Sequence, residues 1–114
     1  MSDTIFTKII NREIPAEILY EDDDVLAFSD VGPQAPVHFL VIPKLPIETI
    51  NDIQPDQAEL IGKMVLTAQK LVKEQGVAES GYRLVMNCNE DGGQTVFHIH
   101  MHVLGGRALS WPPG

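Results

Sequence analysis

The segment VFHIHMHVL, residues 96–104, sets His98, His100 and His102 at every second position, with Ile99, Met101 and Val103 between and after them. Strict alternation is the period of a β-strand, on which successive side chains point to opposite faces. A chain that folds this pattern must pack one face against an apolar core and turn the other, with three imidazoles in a row, toward a single space. The fourth histidine, His38, lies in VHFLVIP (37–43), a second segment rich in β-branched and aromatic residues that reads as a strand ending at Pro43.

The remaining elements follow from spacing and punctuation. Ser2, Asp3 and Thr4 are candidate N-caps for a short helix in which Ile5, Phe6, Ile9 and Ile10 recur at helical intervals. EILY (17–20) and VLAFSD (25–30) read as strands, and the EDDD between them as a solvated hairpin turn rather than a cation site. Pro55 opens the main helix, whose predicted apolar stripe of Ala58, Ile61, Met64, Val65, Ala68, Leu71 and Val72 runs up to the breaker Gly76. YRLVMNC (82–88) and VFHIHMHVL, joined by the loop NEDGGQT, complete five strands. Short connections, five strands and two helices predict an α+β fold on an antiparallel sheet. Without a repeat, linker or low-complexity tract, residues 1–114 are expected to form one domain.

Charge narrows the partners. Sixteen acidic against eight basic side chains give a net charge of −8, and no basic cluster stands against it, so neither nucleic acid nor an anionic membrane is an expected partner. The single Cys88 forms no intrachain disulfide, and there is no N-terminal apolar leader, no glycosylation sequon and no apolar run of membrane-spanning length. These features predict a soluble, cytoplasmic protein.

Three readings compete for the histidine row. One is a half-buried strand whose polar positions happen to be histidine, an explanation better suited to one such residue than to three in register. A second is a metal site. Along a regular strand His98 and His102 lie about 13 Å apart, too far to share one ion, so a His-x-His pair would need a third ligand from His38, Asp30 or Asp91. The third is nucleophilic attack on phosphorus, in which one imidazole nitrogen attacks while an acceptor holds the proton on the other, and a further histidine meets the leaving group. Just upstream, Gly92 and Gly93 permit positive φ, and Gln94 and Thr95 add donors where phosphate oxygens would sit. Row and loop together favour a site for an anionic phosphorus centre, with the metal site as its rival.

GGQTVFHIHMHVLGGR (92–107) matches the histidine triad signature, and DVGPQAPVHFLVIPK (30–44) with the terminal SWPPG resembles the histidine triad nucleotide-binding protein branch of the histidine triad (HIT) superfamily; the resemblance runs from DTIF to the last residue. It implies a HIT-like sheet continued across a homodimer, and a purine nucleoside phosphoramidase that hydrolyses the P–N bond of adenosine or guanosine 5′-phosphoramidates without metal or other cofactor. By position, it makes His100 the nucleophile, oriented by a backbone carbonyl near His98, and His102 the contact to phosphate and leaving group. It has His38 support His98 from the neighbouring strand, and Asn87, Gly93 and Thr95 bind phosphate or leaving-group atoms. Asp30 would accept from the ribose hydroxyls, and Ile5, Phe6, Ile9, Phe28 and Val31 would enclose the purine. Trp111, in the Pro-rich tail, is expected to dock against the dimer partner near the leaving group.

The third histidine favours hydrolysis over transfer, because the transferase branch resembles glutamine there, whose amide gives up no proton at neutral pH. The alternatives are a dinucleoside polyphosphate hydrolase, which shares the triple histidine, and a nucleotide-binding or protein-interaction module with vestigial catalysis. The chain departs from the branch at Asn87, Cys88 and Asn89, where relatives typically read Asn-Glu-Gly. Cys88 is expected to point away from Asn87 as a small, buried, apolar filler.

Overall fold

Thr4 starts the first helix. In the computed structural model, which describes residues 3–114, its hydroxyl accepts from the backbone N–H of Phe6 and Thr7, and the Thr7 hydroxyl accepts from Thr4 N in return. This reciprocal cap fixes α1 (Ile5–Ile10), which buries Phe6 and Ile9. Of the other candidate caps, Asp3 is displaced by Thr4, and Ser2 lies outside the described residues.

Five strands, β1 (Ile18–Glu21), β2 (Val25–Ser29), β3 (Val37–Pro43), β4 (Tyr82–Val85) and β5 (Met101–Gly105), form one antiparallel sheet in the order β1-β2-β3-β5-β4. The acidic run is the expected β1–β2 turn. Asp22 accepts from the backbone N–H of Asp24 and Val25, and Lys63 bridges Asp22 and Asp24. Alternation then divides the sheet into two faces. Val25 and Ala27 of β2, Phe39 and Val41 of β3, and Met101 and Val103 of β5 pack under α2 (Ala58–Glu74), while Leu26, Phe28, Leu40 and Ile42 meet Phe6 and Ile9 of α1 on the other side.

Pro55 leads into α2 through one 3₁₀ turn, and the helix ends before Gly76, whose φ of +78° only glycine adopts cheaply. Its buried line is Met64, Thr67, Ala68, Leu71 and Val72. Ala58 and Val65 of the predicted stripe are instead exposed, Val65 at 41%. Thr67 takes the inner position because its hydroxyl donates to the Lys63 carbonyl one turn back, so no polar group is left unpaired.

Three further boundaries differ from expectation. β4 stops at Val85, and a one-turn helix, α3 (Asn89–Gly92), occupies the predicted loop, with Asn89 at φ +60° and Gly93 at φ +79°. The histidine strand is shorter than its pattern: β5 pairs with β3 only from Met101, opposite Val41, and residues 96–100 run outside the ladder. Continued pairing would bring the chain against Pro43, which has no N–H to offer. The Ile99 amide bonds to the Ile47 carbonyl beyond β3 instead. The alternation nevertheless survives, with Ile99 in the α2 core and His98 and His100 turned to the α1 face. Among the described residues no helix is long and apolar enough to cross a membrane.

Candidate active site

The four histidines form two pairs, held by different means. In the β3–β5 ladder His102 lies opposite Leu40, and His38 opposite Leu104, so the two imidazoles are diagonal neighbours on one face. Nε2 of His38 and Nδ1 of His102 are 3.0 Å apart. Outside the ladder, backbone carbonyls do the holding: His98 Nε2 is 2.7 Å from the Pro43 carbonyl, and His100 Nδ1 is 2.9 Å from the carbonyl of His98. A carbonyl only accepts, so these nitrogens carry the protons. His100 thus keeps an unprotonated Nε2, and that ring lines a cleft.

Burial lowers the pKa of all three triad histidines. For His98 and His100 desolvation is the leading cause, opposed by the hydrogen bonds to their carbonyls. His102 is pushed down to about 4 by desolvation, then by its neighbours His100 and His38, against the pull of Asp30. All three are therefore neutral at pH 7. Phe6 packs in T-shaped contact with His98 and His100, at centroid distances of 6.0 and 5.0 Å, and flanks the row from the α1 side.

The cleft, of about 280 Å³, collects nearly every residue expected of a nucleotide site. Ile5, Phe6 and Ile9 come from α1, Phe28 from β2, Asp30 and Val31 from the chain after it, Asn87 from the link between β4 and α3, and Gly93 and Thr95 from the turn after α3. His100 and His102 complete the lining, with His98 and His38 behind them. Asp30 accepts from the Gly32 amide through Oδ1, and its Oδ2 lies 3.4 Å from His38 Nε2 and 3.9 Å from His102 Nδ1.

Three expectations are corrected. His38 supports His102 rather than His98, because the ladder sets it beside Leu104, and the Pro43 carbonyl takes the place foreseen for it at His98. Gln94 does not face the phosphate position: it is buried, donating to the carbonyls of Glu48 and Val96 and accepting from the Asn89 amide, and so pins the loop that carries Gly93 and Thr95. Trp111, expected at a partner's site, is 82% exposed and lies outside the cleft of its own chain. Cys88 stays off the cleft as expected, but is half-buried rather than a buried filler. The carbonyl expected near His98 is that of His98 itself, whereas the Pro43 carbonyl is a site group that the sequence leaves unmarked, since a backbone acceptor has no signature there.

Among the described residues one group could converge on a cation, and it is not a His-x-His pair: Asp30, His38 and His102 bring ligand atoms within 4.8 Å of one another. The donor set does not fit. His38 Nδ1 accepts from the Gln34 amide at 3.0 Å, whereas a neutral imidazole that gives its Nε2 lone pair to an ion carries its proton on Nδ1. Two N–H groups would then face each other.

A five-stranded antiparallel sheet bearing a triad of alternating histidines beside a cleft defines a class, and the chain belongs to it: the HIT domain family, whose model matches residues 11–109. It is 54% identical over 107 residues to the purine nucleoside phosphoramidase of Escherichia coli, covering 94% of this chain and 90% of the relative. Among solved structures it resembles a HIT family hydrolase from Legionella pneumophila, with a TM-score of 0.96, 52% identity and coverage of 98% of this chain and 100% of the other. A histidine triad nucleotide-binding protein from Candida albicans follows the same fold with a TM-score of 0.82 at 30% identity, over 96% of this chain and 83% of the other.

Proposed function

We propose that this protein is a purine nucleoside phosphoramidase, a hydrolase that cleaves the P–N bond of adenosine or guanosine 5′-phosphoramidates through a nucleotidyl-histidine intermediate. The observation that carries the reading is the His98 carbonyl at His100 Nδ1, which leaves the opposite ring nitrogen as a lone pair in the cleft. The purine lies among Ile5, Phe6, Ile9 and Phe28, with Val31 at the rim, and the ribose hydroxyls donate to Asp30. Asn87 and Thr95 hold phosphate oxygens, and Gly93, whose own amide donates to the Glu90 carbonyl, leaves room beside them. His100 Nε2 attacks phosphorus, the P–N bond breaks, and the nitrogen departs as the amine with a proton given by His102. Water then displaces His100 from phosphorus, restores that proton and releases the nucleoside monophosphate. The resemblance between this chain and a relative that bears the name phosphoramidase supports the same assignment.

The protein acts as a single domain and a homodimer in this reading. β4 is an edge strand with exposed Tyr82 and Leu84, and its Arg83 holds the tail by donating to the Leu109 and Ser110 carbonyls. An unpaired apolar edge is a site for strand addition, and pairing two copies there would cover it and set each Trp111 near the other's cleft. The lone Cys88 fits a reducing, cytoplasmic setting.

The test compares turnover by the purified protein of a purine nucleoside phosphoramidate, a diadenosine polyphosphate and a nucleotide sugar. Fast turnover of the phosphoramidate alone is expected. Preference for the diadenosine compound would make the protein a polyphosphate hydrolase, and tight purine nucleotide binding with no turnover of any would make it a binding module.

A further inference from the structure

The His38–His102 pair has an outer partner whose consequence reaches the cleft. The backbone N–H of Gln34 points at His38 Nδ1 from 3.0 Å, and an amide N–H can only donate. His38 therefore accepts through Nδ1 and bears its proton on Nε2. That nitrogen is 3.0 Å from His102 Nδ1, which accepts in turn, so the proton of His102 stands on Nε2. Because Nδ1 of His102 is occupied and its ring lines the cleft, Nε2–H is the group left to meet a ligand.

The opposite pair of tautomers meets two penalties. A proton on His38 Nδ1 would face the Gln34 N–H, and the bare Nε2 would face the Asp30 carboxylate, whose Oδ2 is 3.4 Å away. It would also turn a lone pair of His102 toward the phosphate oxygens. The loop that carries the amide is fixed. The Gln34 side chain donates to the Gly32 carbonyl, the Gln34 carbonyl accepts from Arg107, and the Gly32 amide is held by Asp30 Oδ1.

We propose that the backbone amide of Gln34 is a positioning group that sets the tautomers of His38 and His102, so that His102 meets the leaving group as a hydrogen-bond donor at Nε2. The catalytic consequence rests on the phosphoramidase reading; the tautomers do not.

Nitrogen-15 NMR of the uniformly labelled protein at neutral pH tests this, since two-bond couplings report which ring nitrogen is protonated. The expected result is Nε2–H with bare Nδ1 on both rings, and an Nδ1 proton on either ring overturns the proposal even where phosphoramidate turnover is intact. A protein that turns over no phosphoramidate but shows both Nε2 tautomers would sink the functional reading alone. Gln34→Pro removes the donor and Gln34→Ala keeps it. The proline variant is expected to mix tautomers at both rings and lose about 10- to 100-fold in kcat, the range for a lost orienting partner, with KM nearly unchanged. The alanine variant should retain both tautomers. A folded proline variant with both tautomers and kcat unchanged would contradict the proposal, and where it does not fold, the spectrum of the unaltered protein decides.

Discussion

The two faces of the sheet are built from the same strands and differ in what covers them. On one, a helix of seventeen residues lays Met64, Thr67, Ala68, Leu71 and Val72 along the strands and seals them. On the other, a helix of six residues covers Leu26, Phe28, Leu40 and Ile42 and sets Phe6 on His98 and His100, and a cleft remains beside it, lined by His100 and His102. The long cover supplies stability, and the short one leaves room for a ligand. The histidines follow the same division, each turning its ring to the open face while Ile99, Met101 and Val103 root the segment in the closed one.

Substitutions that separate the two faces test this division. His100→Ala should lower kcat by more than about 10⁴-fold if His100 is the nucleophile as proposed, because no neighbouring group can replace it. His102→Ala should cost about 10²- to 10⁴-fold, as for a lost general acid; single-turnover kinetics of both variants would check the order. Met64→Ala, on the closed face, should reverse the pattern. It should lose about 2–5 kcal/mol of stability in urea unfolding and leave kcat of the folded protein unchanged. A comparable loss of kcat in Met64→Ala would mean that the faces are not independent.

Acidification offers a subtler separation. The triad histidines have folded-state pKa values below the unfolded 6.5, with His102 near 4, so the unfolded chain binds more protons in that interval. Stability is then full above pH 6.5, falls as pH drops from 6.5 toward about 4, and loses on the order of 1–3 kcal/mol there. Glu21, whose carboxyl is held low by hydrogen bonding to Lys44, loses its contribution only at lower pH. In the proposed mechanism His100 must be neutral to attack, so the acid limb of kcat/KM should also fall below pH 6.5. Thermal melts and rate profiles across pH 4–8 check both, and a limb at or above 6.5 would contradict the burial argument. The smallest effect is expected from the tail. Deleting Leu109–Gly114 should change relative rates among amine leaving groups by a few-fold and leave affinity for the free nucleotide unaltered. Identical leaving-group profiles would detach the tail from the site.

Much of this arrangement was legible in the sequence because it rests on side-chain period. Alternation at 98–103 gave the two faces, although the strand itself begins at Met101, and spacing in the main helix gave its buried line apart from the exposed Ala58 and Val65 and the buried Thr67, whose hydroxyl bonded to the Lys63 carbonyl let it inside. The fit of Asp30, Asn87, Gly93 and Thr95 to one cleft came from the family resemblance. What stayed hidden depends on backbone groups brought together by the fold. Pro43 both ends the ladder and offers the carbonyl that holds His98, which left His38 to pair with His102. Gln94 reads as a phosphate donor until the Glu48 carbonyl, 46 residues away, is seen to take its amide.

The central claim, that His100 is the nucleophile because the His98 carbonyl fixes its proton on Nδ1, is tested most directly by stereochemistry at phosphorus. Transfer of the nucleotide to imidazole and then to water is two in-line displacements, each inverting the centre. A phosphorus-chiral phosphoramidate hydrolysed in isotopically labelled water should therefore give product with net retention. Inversion would show that water attacks directly and that the histidine row only positions it, however inactive the His100→Ala protein proved.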